Sequence, residues 1–213
     1  MNRSPSTPTD GELIAAILAG DNHPFALLVR RYERELLRVA YSRLGRVEWA
    51  EDAVQETFLS VFRFLRSYDS RYSFRTWIWT ILLNHCRGHL KKRSRRVLVR
   101  SWSDHTADVG PCDIASQLSN DESPTEKLIA SERSEVLDTL LRRLPEPQAD
   151  ALRLRFYGGL KFHEIADAMQ CSLSTAKNRV RWGLAKMADF LQPERAGERG
   201  PESESRHDEP HEV

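Results

Sequence analysis

Three cysteines in 213 residues, none in a CxxC pair, are too few and too scattered for a disulfide framework or a zinc knuckle. Cys86, Cys112 and Cys171 read as reduced thiols. No run approaches the roughly 20 apolar residues of a membrane span, and the first ten residues hold no apolar secretory core. No segment alternates convincingly with period two, which removes the signature of a strand. A net charge of +1 shows no overall bias toward an acidic or basic partner. What is left is a polar chain, 40% hydrophobic and 30% charged, with a mean hydropathy of -0.55. It is expected to be soluble and cytoplasmic, with room for one ordinary domain or two small ones.

The near-neutral total hides a sorted charge. Residues 85–100 hold seven basic side chains and no acid, whereas residues 101–125 hold five acids and no Lys or Arg. Residues 193–213 hold seven acids against three arginines. The total therefore hides a basic block followed by two acidic stretches, each rich in Gly, Pro or Ser.

Apolar spacing predicts an all-α fold. Thr9 and Glu12 form a capping box for a short helix carrying Leu13, Ile14, Ile17 and Leu18, stopped at Gly20. Pro24 opens a second helix with Phe25, Leu28, Val29, Tyr32, Leu36, Val39 and Ala40 on one face, ending at Gly45. A third helix, about Glu48 to Arg66, carries Ala50, Ala53, Val54, Thr57, Phe58, Val61, Phe62 and Leu65. A polar loop, 67–73, leads to a fourth from Phe74 into the basic block. After an aperiodic linker, Ser123 and Glu126 form a further capping signature for a helix ending at Pro145. Shorter helices are expected at about 147–156, 162–169 and 173–191. This divides the chain into helical domains at 10–100 and 125–192, a flexible acidic linker at 101–124, and a disordered acidic tail at 193–213.

The sequence HEIADAMQCSLSTAKNRVRWGLAKM (163–187) has the layout of a helix-turn-helix. Ile165, Ala166 and Met169 face inward on the first helix, residues 170–172 turn the chain, and Ala176, Val180, Leu184 and Met187 line the second. Small Ala166 permits a close crossing. Ser174, Thr175, Lys177, Asn178 and Arg181 face outward on the early second helix, with hydroxyls suited to phosphate and Lys, Asn and Arg suited to base edges.

Two further features lie upstream. In AEDAVQETFLSVFRFL (50–65), Asp52, Gln55, Glu56 and Leu59 form an outward acidic stripe with one apolar contact, suited to a basic partner helix. In FRTWIWTILLNHCRGHLKKRSRR (74–96), Phe74, Trp77 and Trp79 precede the densest cationic cluster, a combination suited to unpaired nucleic acid, where bases stack on rings and phosphates follow charge. Tyr68, Arg71 and Tyr72 in the preceding loop are placed to line a pocket for an unstacked base.

Together these motifs, in this order, resemble the bacterial RNA polymerase sigma factors, more narrowly the small extracytoplasmic-function (ECF) class built of two domains. The resemblance spans about residues 10–100 and 125–191. It implies that Asp52, Gln55, Glu56 and Leu59 dock on the β′ clamp helices of core RNA polymerase. It implies that Tyr68, Arg71, Tyr72 and Trp77 capture a flipped non-template base of the −10 element, with Asn84, Arg87, Lys91 and Lys92 beside that strand. Ser174, Thr175, Lys177, Asn178 and Arg181 would read the −35 element, and the C-terminal domain would meet the β flap. An anti-sigma factor is a further implied partner. RNA synthesis belongs to the core enzyme, so no catalytic residue, cofactor or metal is expected. A linker of about 25 residues stretches to roughly 80 Å and averages about 28 Å as a coil, enough for DNA sites about 35–70 Å apart.

The pattern departs from the family at Lys177 and Asn178, where an Arg–Ser or Lys–Ser pair is common, and at Trp182 and Gly183, where many relatives carry basic residues; fewer −35 contacts are expected there. Two other readings compete. A helix-turn-helix regulator acting without polymerase would leave the acidic stripe and the aromatic–basic block unexplained. A metal enzyme or hydrolase using His85, Cys86, His163, Glu164 and Cys171 lacks HExxH, because residue 167 is Asp.

Overall fold

The computed structural model describes residues 7–100, as backbone only from 93 to 100, and residues 136–191. All regular structure among them is helical: α1 (Asp10–Leu18), α2 (His23–Leu44), α3 (Val47–Phe64), α4 (Phe74–Arg100), α5 (residues 136–142), α6 (Glu146–Phe156), α7 (Phe162–Ala168) and α8 (Leu173–Leu191). The linker, the tail, Cys112 and the capping signature at Ser123 lie outside the described residues. No helix described is long and apolar enough to cross a membrane.

Local chemistry sets the helix ends. Thr9 Oγ1 accepts from the Glu12 N–H at 3.3 Å, and the Glu12 carboxylate accepts from the Thr9 N–H at 2.7 Å, a reciprocal pair that satisfies two amides at the start of α1. These hydrogen bonds hold the Glu12 carboxyl below its usual range. At the far end Gly20, at φ 106°, closes the helix with Gly20 N–H to Ile17 O and Asp21 N–H to Ala16 O. Gly45, at φ 73°, ends α2 in the same left-handed region. The third helix stops at Phe64, earlier than its periodicity suggests, and a 3₁₀ turn (Leu65–Ser67) tightens the chain into the loop.

The N-terminal half packs around α2, which touches α1, α3 and α4. Leu28, Leu36, Val39 and Ala40 of α2 are sealed against Ala53, Val61, Ile78, Leu82 and Leu83. Full burial of such side chains contributes about 1.5–3 kcal/mol each. Tyr32 fastens α1 by donating its hydroxyl to Asp10, which Arg31 also pairs; burial, then the Asp10 carboxylate, pushes the phenol well above its usual range. Phe62, expected on the buried face of α3, is instead 49% exposed at its edge, where its ring meets Phe25 at 5.2 Å.

The C-terminal half rests on α6 and α8, with α7 packed across α8. Gly183 is a packing position: a Cβ there would stand 2.7 Å from Leu152 Cδ1, so only hydrogen lets α8 close on α6. Gly183, at a position where many relatives are expected to carry basic residues, is thus buried, whereas Trp182 beside it is 52% exposed. Leu184, expected in the core, is 45% exposed and lines an apolar groove of about 210 Å³ with Leu137, Leu141, Phe156 and Met187.

Two outcomes follow from this packing. Gly183→Val is expected to lower stability by about 1–3 kcal/mol through overpacking, read as a shift of the denaturation midpoint; an unchanged midpoint would contradict the close approach of α6 and α8. Cys86 is fully buried and its thiol is pushed up to about 12 by that burial. Alkylation at pH 8 followed by mass spectrometry should therefore leave Cys86 unmodified until denaturant is added, and equal labelling in both states would refute its burial.

Candidate nucleic-acid interface

The helix-turn-helix is built by α7, α8 and the turn between them. Gln170 sits at φ 51°, in a region most side chains avoid, and its N–H bonds to Asp167 O while the Cys171 N–H bonds to Ala166 O. This is the double closure usually made around glycine, here made with glutamine. Ser172 then caps α8: its Oγ accepts from the Thr175 N–H at 3.1 Å and lies 2.9 Å from Ser174 Oγ and 2.8 Å from Thr175 Oγ1. The sequence reading assigned Ser172 to the turn only. The capping signal was legible, since a serine stands just ahead of an apolar-periodic segment.

Ala166 and Ala176 are buried at the crossing of α7 and α8, as their small size predicts. Ser174, Lys177 and Arg181 are exposed and Thr175 and Asn178 half-buried, all in the first half of α8. An exposed helix N-terminus flanked by hydroxyls and cations is suited to phosphate and groove contacts.

The aromatic cluster is more selective than the sequence suggests. Phe74 and Trp79 are buried, at 4% and 1% exposure, and support the fold. Tyr68 and Trp77 remain half-buried with ring centroids 5.1 Å apart, and Tyr72 is 65% exposed. Tyr68 donates its hydroxyl to Tyr72 O at 2.5 Å, which pins the loop, and burial raises its phenol above the usual range. Arg71 is tied to Asp69 through Nε at 2.8 Å and Nη2 at 2.5 Å; these bonds hold the Asp69 carboxyl below its usual range. Along α4, Asn84 and Arg87 are exposed and joined at 2.8 Å, with Lys91 and Lys92 exposed one turn further on.

On α3, Asp52, Gln55 and Leu59 project to solvent, and Leu59 and Gln55 edge a groove of about 440 Å³ floored by Phe25, Val54 and Phe58. Glu56 differs. Its carboxylate faces α4, with Oε2 at 3.0 Å from His85 Nδ1 and 3.2 Å from His89 Nε2. Ser60 Oγ lies 2.9 Å from His85 Nε2. A neutral His85 protonated at Nδ1 satisfies this arrangement, donating to Glu56 and accepting from Ser60. Spacing alone did not reveal these partners, because they lie 25 to 33 residues away. Among the described residues, no three His, Cys, Asp or Glu side chains are grouped to hold a metal ion.

The loop and aromatic residues proposed for an unstacked base lie close to the turn of the helix-turn-helix. Tyr68, Tyr72 and Trp77 line one wall of a cleft of about 710 Å³, and Asp167, Gln170 and Ser172 of the helix-turn-helix line the other.

Comparison with known proteins agrees with this architecture. Residues 28–96 match the model of Sigma-70 region 2, and residues 134–187 that of Sigma-70, region 4. The chain is 29% identical over 184 residues to the RNA polymerase sigma-H factor of Pseudomonas aeruginosa, covering 86% of this chain and 94% of that one. It is 26% identical over 185 residues to the ECF RNA polymerase sigma-E factor of Haemophilus influenzae, covering 87% and 96%. The fold is similar to CnrH, solved in complex with the cytosolic domain of CnrY (TM-score 0.60, 21% identity, 85% of this chain and 96% of that one). It is also similar to the sigma factor RpoE of Bartonella quintana, solved with the anti-sigma factor NepR (TM-score 0.59, 21% identity, 79% and 96%). The chain belongs to the extracytoplasmic-function class of the sigma-70 family, and its role is that of a transcription initiation factor directing RNA polymerase, not that of an enzyme.

Proposed function

We propose that this chain acts in the cytoplasm as an alternative sigma factor that reads a two-part promoter, with residues 10–100 serving the −10 element and residues 125–192 the −35 element. Residues 101–124 join these domains, and 193–213 form a separate tail. The observation that carries this reading is that one chain holds both an exposed helix-turn-helix surface and an aromatic pocket running into a cationic helix. A duplex-binding regulator needs only the first.

Each step has a physical basis. Lys177, Asn178 and Arg181 offer donors to base edges in the major groove, while Ser174 and Thr175 contact phosphate at the start of α8. Tyr68, Tyr72 and Trp77 offer ring surface to a base leaving the stack, and Arg71 adds a planar cation. Asn84, Arg87, Lys91 and Lys92 follow the strand along α4. Unstacking costs a few kcal/mol per base, and each ring contact returns about 1–3 kcal/mol. The factor therefore needs to trap only a few bases once polymerase holds the duplex. Asp52, Gln55, Glu56 and Leu59 meet the β′ clamp helices, and the groove beside Leu184 takes an apolar segment of the β flap. The two solved neighbours bound to other chains support an anti-sigma partner here as well, of identity not specified by these surfaces.

The primary test is transcription by purified core polymerase on a genomic DNA library, with the RNA 5′ ends sequenced with and without this chain. Protein-dependent starts sharing two upstream motifs are expected. No new starts, together with tight duplex binding by the chain alone, would favour the polymerase-independent regulator.

Point variants separate the two surfaces. Lys177→Ala or Arg181→Ala should lower −35-dependent transcription about tenfold, in line with about 1–3 kcal/mol per base contact. Trp77→Ala should instead reduce strand opening, read by permanganate footprinting, while leaving duplex −35 affinity unchanged. Equal loss of both properties in every variant would contradict the division of labour.

A further inference from the structure

Trp182 is a large aromatic side chain, 52% exposed, on the helix that carries the proposed −35 surface. With about 3.6 residues per turn, it stands one turn after Asn178 and two after Thr175, directly beside Arg181. The opposite side of α8 is fixed by packing. Ala176, Val180, Gly183 and Met187 are buried, and a Cβ on Gly183 would stand 2.7 Å from Leu152 Cδ1. That close approach sets the rotation of α8 about its own axis, so residue 182 has no route inward while the helix holds. Trp182 also lines none of the three clefts described above. The indole therefore belongs to the face that presents Ser174, Asn178 and Arg181, and not to the core or to the groove beside Leu184.

A position that served only the phosphate backbone would be filled best by a cation or a hydroxyl. A neutral ring adds no attraction for that charge. Within an intact duplex it cannot stack either, because each base face is covered by the neighbouring pair. Only base edges are open to it, and the one methyl group they present in the major groove is the thymine C5-methyl. The groove is roughly 12 Å wide, and one turn of helix advances about 5.4 Å. With Asn178 at a base edge, the side chain one turn further on is still within the groove. We propose that Trp182 is a specificity-determining residue of the −35 surface, covering the C5-methyl of a thymine beside the bases met by Asn178 and Arg181. This inference deepens the sigma-factor reading above and rests on it.

An apolar contact in place of a charged one has its own thermodynamic signature. Each cation that neutralises a phosphate releases counterions and steepens the fall of log K with log salt by about 0.9. Covering a methyl group releases none. Trp182 thus contributes to discrimination between sequences and leaves the salt dependence of binding unchanged. The indole also carries one N–H donor, so a phosphate contact through Nε1 is the competing use of the same side chain. Phenylalanine separates the two, because it keeps an apolar ring able to cover a thymine methyl and lacks the donor.

The test uses the full-length chain with core polymerase on a promoter obtained from the mapped starts. Thymines of its −35 element are replaced one at a time by deoxyuridine, which removes the C5-methyl and keeps every hydrogen bond of the pair. Binding of the reconstituted holoenzyme is then measured by competition at several salt concentrations. With the wild-type chain, one replacement should weaken binding about fourfold, the factor expected for one buried methyl group. Trp182→Ala should bind the natural promoter at least about fourfold more weakly, with the wild-type salt slope, and should no longer distinguish thymine from deoxyuridine at that position. Trp182→Phe should keep the distinction. The idea is overturned if no replacement matters, if Trp182→Ala retains the thymine preference, or if Trp182→Phe loses as much as Trp182→Ala; the last result would assign the indole N–H to a phosphate. Starts that appear while the thymine preference survives Trp182→Ala leave the sigma-factor reading intact and remove this inference alone. If the wild-type chain yields no polymerase-dependent starts, the sigma-factor reading falls, and the same replacements in duplexes selected by the chain alone still judge Trp182.

Discussion

One helix, α2, sets the geometry of everything else. Its apolar face serves α1, α3 and α4 at once, so the N-terminal bundle is organised around a single 22-residue axis. Helices as short as the nine-residue α1 are marginal alone and persist because that face buries them. At its last turn the same helix changes chemistry. After Val39 and Ala40 come Ser42 and Arg43, which are as deeply buried but face polar groups of α6. The apolar stripe thus fixes one domain, and the polar turn that follows it meets the other.

This arrangement separates permanent from negotiable contacts. Within each half, burial is apolar and closely fitted, down to the missing Cβ at Gly183. Between the halves, ion pairs and imperfectly aligned donors stand beside Trp79 and Gly158. Interfaces of the second kind are typical of units that move relative to one another.

Much of the fold was legible in the sequence because local rules govern helix ends. Thr9 with Glu12, Gly20, Gly45 and the span of α8 all follow from capping residues and a 3.6 period. The helix-turn-helix was legible for the same reason. What local rules missed was long-range. Arg43 and Asp150 on polar helix faces look like solvated charges until the two helices are brought together across more than 100 residues. Phe62 and Leu184 keep the helical period of their neighbours, yet each falls at the edge of its packed face. Nothing local to Gly183 announces that Leu152, 31 residues away, decides what can stand there. Among the aromatics, composition could not distinguish Trp79, which supports the fold, from Trp77, which remains accessible.

The grip of His85 and His89 on Glu56 carries a consequence for communication across the N-terminal bundle. One carboxylate on the outer helix holds one ring nitrogen of each of two imidazoles on the helix that bears Asn84 and Arg87. A macromolecule that drew Glu56 toward itself would leave His85 held by Ser60 and would take from His89 the carboxylate at its Nε2. Contact made on one face of the bundle would then be felt as altered side-chain order along the opposite helix, with no backbone displacement required.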